Sequence, residues 1–174
     1  MKIALGLLAL GLASVAQADV YRLTFDAVGF ADIAGTEAAP TNQISGYLEW
    51  EGPTQFAPIS SLVGVDLTID GHSYALGDLA FLNGLETTSV IGGSVGGGSN
   101  FITAGTFDFA LAFDRKGQFY NLIYTVPGVN TSWIGRDATV SIQGAALPEP
   151  TSLGLLLAAI AGMGVSRRRD RQAR

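Results

Sequence analysis

The 174-residue chain has no cysteine and a single histidine, His72. The lack of cysteine excludes disulfide bonds, thiolate metal sites and cysteine nucleophiles. One histidine cannot supply a two-histidine metal centre within one chain, and a Ser-His-Asp triad would have to use His72 as its base. We interpret His72, which follows a predicted hairpin turn by one residue, as an ordinary strand residue. Because it has no disulfide bond, the folded part of the chain must be held together by its apolar core.

Basic residues are also scarce in the central part of the chain. Between Asp19 and Ala146, 4 basic side chains stand against 13 acidic ones, so this part has a net charge of −9, while the whole chain has −5. A domain this acidic repels nucleic acid and anionic lipid. We therefore predict no nucleic-acid partner.

Two patterns that mark ligand sites in other proteins are incomplete here. The glycine-rich stretch Gly92–Ser99 lacks the Lys and Ser/Thr of a phosphate-binding loop, and no helical pattern follows it, so we interpret it as part of a loop from Gly92 to Asn100. Five aspartates near the predicted hairpins could offer oxygen ligands to calcium, but they form no D-x-D-x-D-G run, and aspartate in turns mostly binds the backbone. The five aspartates are Asp66, Asp70, Asp78, Asp108 and Asp114. We predict no catalytic residue, no metal ion and no cofactor.

The central part also lacks a convincing apolar repeat of 3.6 residues, and its dominant period is two. This alternation is typical of strands with one buried face, and an Asp-Gly pair at 70–71 favours a tight hairpin turn. The chain is predicted to be all-β, with an antiparallel β-sandwich or jelly-roll core, of which we favour the sandwich. The alternating stretches are 21–27, 44–50, 65–69 with 72–76, 107–113 with 119–126, and 138–143, while 77–85 could form a helical turn or a strand.

The first 18 residues are typical of a secretory signal peptide. Lys2 supplies a positive start, Ile3–Val15 is apolar, and Ala16-Gln17-Ala18 fits the small-x-small cleavage rule. Cleavage is predicted between Ala18 and Asp19. The mature domain is then 19–146.

The last 28 residues, 147–174, have three parts. The triplet Pro148, Glu149 and Pro150 precedes an uncharged run from Leu153 to Val165, and a basic cluster follows it. At about 1.5 Å per residue, 13 residues span roughly 20 Å, which is short for a transmembrane helix. Basic residues beside a membrane segment stay cytoplasmic, and this favours a helix that places the upstream domain outside. The basic residues are Arg167, Arg168, Arg169, Arg171 and Arg174.

In the order of triplet, short apolar helix and basic cluster, this tail resembles the PEP-CTERM sorting signal of exported bacterial proteins. The resemblance implies recognition of Pro148, Glu149 and Pro150 by an exosortase, a membrane protease or transpeptidase found in bacteria that usually also make exopolysaccharide. It implies a protein anchored in the inner membrane before processing and placed afterwards at the cell surface or in the extracellular matrix. A plain tail anchor is the alternative.

Two carboxylates and several aromatic residues leave other functions open. Glu49 and Glu51 flank Trp50 on one predicted strand face, about 7 Å apart, within the separation of acid and base carboxylates in glycosidases. Aromatic residues that could stack on sugar rings are Trp50, Trp133, Tyr21, Tyr47, Tyr120 and Tyr124. Our main hypothesis is a non-catalytic structural or adhesive domain. The alternatives are a carbohydrate-binding module that acts on exopolysaccharide and a glycan hydrolase that uses Glu49 and Glu51.

Overall fold

Period-two alternation in the sequence produces strands with one face in the core. The computed structural model describes residues 18–32, 37–93 and 102–145. Within them lie β1 (Asp19–Val28), β2 (Ala31–Asp32), β3 (Gln43–Gly52), β4 (Ser61–Ile69), β5 (His72–Ser73), β6 (Leu79–Asn83), β7 (Thr88–Gly93), β8 (Phe109–Asp114), β9 (Gln118–Tyr124), β10 (Trp133–Gly135) and β11 (Asp137–Ala145), with one 3-10 turn at Leu76–Asp78.

One sheet has five strands in the order β11-β1-β3-β4-β5, all antiparallel to their neighbours. Strand β1 lies between β11 and β3, and its Leu23 pairs with Ile142 of β11 on one side and with Leu48 of β3 on the other. Alternate residues of β1, from Tyr21 to Ala27, are buried, while Arg22 and Thr24 are exposed on the outer face. The inner face of this sheet therefore belongs to the core and the outer face to solvent.

The other sheet has six strands in the order β2-β10-β9-β8-β7-β6, again antiparallel. Its centre is the hairpin of β8 and β9, in which Leu111 and Leu122 face each other and are both fully buried. The buried faces of the two sheets share one apolar cluster, and the rings of Trp50 in β3 and Phe113 in β8 meet across it with centroids 5.7 Å apart. The all-β prediction and the antiparallel pairing are confirmed, in a sandwich-like arrangement of two sheets.

The turn between β4 and β5 has the predicted chemistry. Asp70 and Gly71 both have positive φ, 48° and 79°, as two-residue hairpin turns require, and glycine adopts such values without strain. The returning strand is shorter than predicted, because only His72 and Ser73 pair with β4 and Leu76 already belongs to the 3-10 turn.

Two boundaries differ from the predictions, and one segment with two open alternatives is resolved. Gly92 and Gly93 end strand β7 rather than begin a loop, and the rest of the predicted loop, 94–100, lies outside the described residues. The segment 77–85 contains both alternatives, the end of the 3-10 turn and then strand β6. Asp108, within the predicted strand 107–113, is instead buried just before β8 begins, where its Oδ2 accepts a 2.9 Å hydrogen bond from Thr103 N.

Candidate functional site

A groove of about 450 Å³ lies on the outer face of the five-stranded sheet, where β11, β1 and β3 run side by side. Strand register places its side chains in two rows across these strands: Ser141, Thr24 and Tyr47 form one, and Thr139, Asp26 and Ser45 form the other. Along each strand one inward-pointing residue separates the two rows, because successive side chains of a strand point to opposite faces. The groove is lined by Thr24, Phe25, Asp26, Ser45, Gly46, Tyr47, Thr139, Val140 and Ser141.

Asp26 supplies the only ionisable side chain among the lining residues apart from the Tyr47 phenol. Its carboxylate accepts hydrogen bonds from Gln43 Nε2 at 2.9 and 3.0 Å and from Ser45 Oγ at 2.8 Å. These donors hold the pKa of Asp26 below its ordinary value, with Gln43 the larger cause. The groove therefore keeps a fixed negative charge at neutral pH, beside four hydroxyl-bearing Ser and Thr side chains.

Tyr47 is the aromatic wall of the groove. Arg22 places its guanidinium carbon 4.1 Å from the centroid of the Tyr47 ring, and the same guanidinium binds Glu49, with Nε 2.8 Å and Nη2 2.7 Å from Oε1. A cation over a ring face adds electrostatic attraction to the contact. The contact with the Arg22 guanidinium therefore helps to fix the position of the Tyr47 ring.

The two predicted hydrolase carboxylates, Glu49 and Glu51, are both engaged by neighbours and do not line the groove. Glu49 binds Arg22 and lies against the Cα of Gly64, and Glu51 accepts a 2.7 Å hydrogen bond from Ser61 Oγ. Between them the pairing of β3 with β4 shifts register at Glu49 and Trp50. An irregularity of this kind bends the strand locally, which a simple two-residue spacing does not anticipate.

Most of the aromatic residues considered for sugar stacking belong to the core. Trp50, Trp133, Tyr124 and Tyr21 are 0, 2, 0 and 8 % exposed, so their ring faces are not open to a ligand. Tyr124 instead bonds the backbone of Thr41 through its hydroxyl, at 2.7 Å to the carbonyl and 3.0 Å from the amide. Burial raises the pKa of Tyr124. Only Tyr47, in the groove, and Tyr120, on the other sheet, remain at the surface.

His72 is part of an aromatic cluster. Its ring stacks on Phe107 at a centroid distance of 4.5 Å and meets Tyr74 edge to face at 4.7 Å. Its Nε2 is buried and has no hydrogen-bond partner among the residues that the structure describes. The ring is packed as an apolar side chain would be, in the strand position that the sequence predicted.

The five aspartates considered for calcium are spread along the chain: Asp66 lies within β4, Asp70 accepts a 3.4 Å hydrogen bond from Thr41 Oγ1, and the other three bind the local backbone. Asp78 accepts from Ala75 N at 2.9 Å, Asp114 from Lys116 N at 2.7 Å, and Asp108 from Thr103 N. The bond from Lys116 is the main reason that the pKa of Asp114 is lowered. In the part of the chain that the structure describes, no group of three His, Cys, Asp or Glu side chains is placed to hold a metal ion.

Arg115, in the turn between β8 and β9, forms a fully buried polar centre that was not predicted from the sequence. Its guanidinium donates to the carbonyls of Phe56 (3.2 Å), Thr88 (3.2 Å) and Glu86 (2.8 Å) and to the side-chain oxygens of Asn83 and Ser89. Burial lowers the pKa of Arg115, although the neighbouring Asp114 acts in the opposite sense. Nothing in the local sequence signals this role, because arginine in a hairpin turn is ordinarily exposed.

The residues of the predicted sorting signal, Pro148 to Pro150 and the basic cluster, lie outside the described residues. Ala18 and Asp19, the predicted cleavage pair, stand at the start of the described chain, and Asp19 is the first residue of β1. Within the described ranges no helix has the length and apolar character needed to cross a bilayer.

Comparison with protein-family models, with curated proteins and with solved structures found no match to this chain.

Proposed function

We propose that this chain is an exported protein of the cell surface or extracellular matrix. Residues 1–18 act as its signal peptide, a helix within 147–174 holds it in the inner membrane, and an exosortase sorts it at Pro148, Glu149 and Pro150. The domain 19–146 is a non-catalytic β-sandwich with a structural or adhesive role. One observation supports this division most: the strands of the described residues run from Asp19 to Ala145, a range that lies between the two predicted targeting segments.

The sorting proposal is tested by the C-terminal peptide mass of the protein from its native host, measured in membrane and extracellular fractions with and without the exosortase. An extracellular form that ends near Pro150 only when the enzyme is present supports sorting. A membrane form that keeps Arg174 under both conditions contradicts it and leaves a plain anchor. Glu149→Gln changes the triplet, and Glu51→Gln removes one negative charge from the domain as the matched control. Loss of the processed form in Glu149→Gln but not in Glu51→Gln would show that the triplet itself is recognised.

Carbohydrate binding is the second candidate function, and the groove around Tyr47 favours it. The groove combines an aromatic ring, an ionised carboxylate at Asp26 and the hydroxyls of Thr24, Ser45, Thr139 and Ser141. Sugars offer apolar C–H faces to a ring and hydroxyl donors to a carboxylate, so this set of groups suits a polyhydroxylated ligand. An exopolysaccharide of the host is the class of ligand that such a surface domain would meet.

Retention of the full chain, in detergent, on immobilised host exopolysaccharide tests this candidate. We expect Tyr47→Ala to abolish retention and Tyr120→Ala, which removes the surface tyrosine of the other sheet, to leave it unchanged. Equal retention of both variants would show that the groove is not the binding site, and no retention of the unaltered chain would exclude binding to this polysaccharide.

The hydrolase alternative has less support, because Arg22 and Ser61 occupy the carboxylates of Glu49 and Glu51. Its test is turnover of the same polysaccharide by the unaltered chain and by the Glu49→Gln, Glu51→Gln double variant. The hydrolase hypothesis requires turnover that the double variant loses. Turnover that survives both changes assigns the chemistry to other residues.

A further inference from the structure

The strands at the ends of the two sheets differ in length. Among the described residues, β2 and β5 have two residues each and β6 has five, whereas β11 has nine and is paired only with β1. An edge strand presents one row of unpaired N–H and C=O groups to solvent, and short edges offer few of them. β11 is thus the long open edge in the part of the molecule that the structure describes.

Apart from Asp137 at its start, the sequence of β11 carries none of the usual devices that prevent pairing at an edge. From Ala138 to Ala145 it has no charged residue and no proline, and Thr139, Val140 and Ile142 are β-branched. Natural edges are ordinarily protected by charges, proline or bulges, and the pairing of β11 with β1 runs through nine residue pairs without a shift of register. The edge of β11 that faces away from β1 is therefore suited to pair with a further strand.

The inward-pointing side chains of β11 are only partly covered. Ala138, Val140 and Ile142 pack against the core but are half-buried, unlike the fully buried Leu23 and Phe25 on the adjacent strand β1. A neighbouring strand on the open side would remove more of their apolar surface from water. Backbone pairing and apolar burial would then act together at this edge.

We propose that β11 pairs with β11 of a second copy of this chain, antiparallel and with Ser141 opposite its own copy. This register pairs all nine residues, adds about eight backbone hydrogen bonds and is symmetric, as a closed dimer interface must be. It also matches side chains by face and brings no two charges together. The pairs are Asp137 with Ala145, Ala138 with Gly144, Thr139 with Gln143, Val140 with Ile142, and Ser141 with Ser141.

The dimer joins the two five-stranded sheets into one sheet of ten strands. The row of Tyr47, Thr24 and Ser141 then continues through Ser141, Thr24 and Tyr47 of the second copy. With about 4.8 Å between neighbouring strands, the two Tyr47 positions lie about 24 Å apart on one face. Two grooves on one face would bind a repeating polymer with a higher avidity than one. The pairing itself does not depend on the proposed function or on sorting.

Single cysteines test the pairing and its register, because the chain has no cysteine of its own. In the proposed register the two Ser141 Cβ atoms are about 5 Å apart, so Ser141→Cys should form a disulfide-linked dimer on mild oxidation of the full chain in detergent. The two copies of position 139 lie about 14 Å apart, beyond the roughly 7 Å between Cα atoms that a disulfide tolerates. Thr139→Cys alone should not cross-link, but a mixture of Thr139→Cys and Gln143→Cys should.

Ser141→Lys tests the pairing without a cross-link. The side chain of Ser141 is exposed, so lysine leaves the fold intact, but in the dimer it would place two like charges side by side. We expect sedimentation to give the mass of a dimer for the unaltered chain and of a monomer for Ser141→Lys at the same concentration. A monomeric unaltered chain, a dimer that Ser141→Lys leaves intact, or cross-linking of Thr139→Cys as strong as that of Ser141→Cys would each overturn the proposal.

Discussion

Arg115 and Asn83 are 32 positions apart in sequence, yet Arg115 Nη1 lies 3.3 Å from Asn83 Oδ1. The same Asn83 side chain holds Ile59 by both backbone groups, accepting from its N–H at 2.9 Å and donating to its carbonyl at 3.0 Å. Three segments meet here: the loop before β4, the end of β6 and the turn between β8 and β9. A buried cation and one amide therefore join these three segments.

Arg115→Met is expected to destabilise the fold by about 3–5 kcal/mol, because it leaves several buried carbonyls without a donor. Arg115→Lys should recover only part of this, since an ammonium group cannot reach as many acceptors as a guanidinium. Denaturant unfolding measures both free energies. The exposed neighbour Lys116 is the control, and Lys116→Met should change stability by less than about 0.5 kcal/mol. A similar small loss in Arg115→Met would show that the network contributes little.

Gly93, at the end of β7, lies under two rings. A Cβ at this position would be 2.6 Å from Phe109 Cε1 and 2.7 Å from Tyr74 Cε1. We expect Gly93→Ala to destabilise the protein by about 1–3 kcal/mol through overpacking. Gly77 provides the control, because a Cβ there would have no atom within 4 Å, and Gly77→Ala should be neutral. Thermal unfolding of the two variants decides the matter, and equal melting temperatures would contradict the tight contact.

The same position shows why sequence analysis predicted some elements and missed others. Alternation in 21–27 and 44–50 revealed β1 and β3, since each has one buried and one exposed face. Gly92 and Gly93 carry no side chain to show which face is buried, and the close approach of two rings that requires glycine there is a tertiary contact. Arg115 was missed for a related reason: its partners come from loops that are distant in sequence.

The groove itself was not predicted from the sequence. Tyr47 was considered for sugar stacking together with five other aromatic residues, and alternation in 44–50 places it on the face opposite Trp50, but this alternation does not show which side chains of the neighbouring strands lie beside it. The rows that place Thr139 and Ser141 beside Asp26 and Tyr47 depend on the pairing of β11 with β1, which joins the two ends of the domain. No local pattern encodes that pairing.

The contact between Arg22 and Glu49 should contribute modestly to stability. The side chain of Arg22 is 46 % exposed and that of Glu49 is 17 % exposed, so solvent and salt screen the ion pair. A double-mutant cycle with Arg22→Met and Glu49→Gln is expected to give a coupling energy of about 0.2–1 kcal/mol that falls as salt is added. A coupling that does not change between low and high salt would contradict charge attraction as its source.

Asp26 should make stability depend on pH on the acid side. Hydrogen bonds from Gln43 and Ser45 lower its pKa in the folded state, whereas the unfolded value is about 3.9. The folded chain thus binds this proton less readily than the unfolded chain. The stabilisation is fully present above about pH 5 and is lost as the pH falls through the unfolded and then the folded pKa.

Titration of the Asp26 carboxyl by NMR should give a higher pKa in Ser45→Ala than in the unaltered chain, because one donor is removed. Asp26→Asn, which cannot bind the proton, should lose less melting temperature than the unaltered chain between pH 5 and pH 3. An Asp26 pKa that is the same with and without the Ser45 hydroxyl would contradict this assignment.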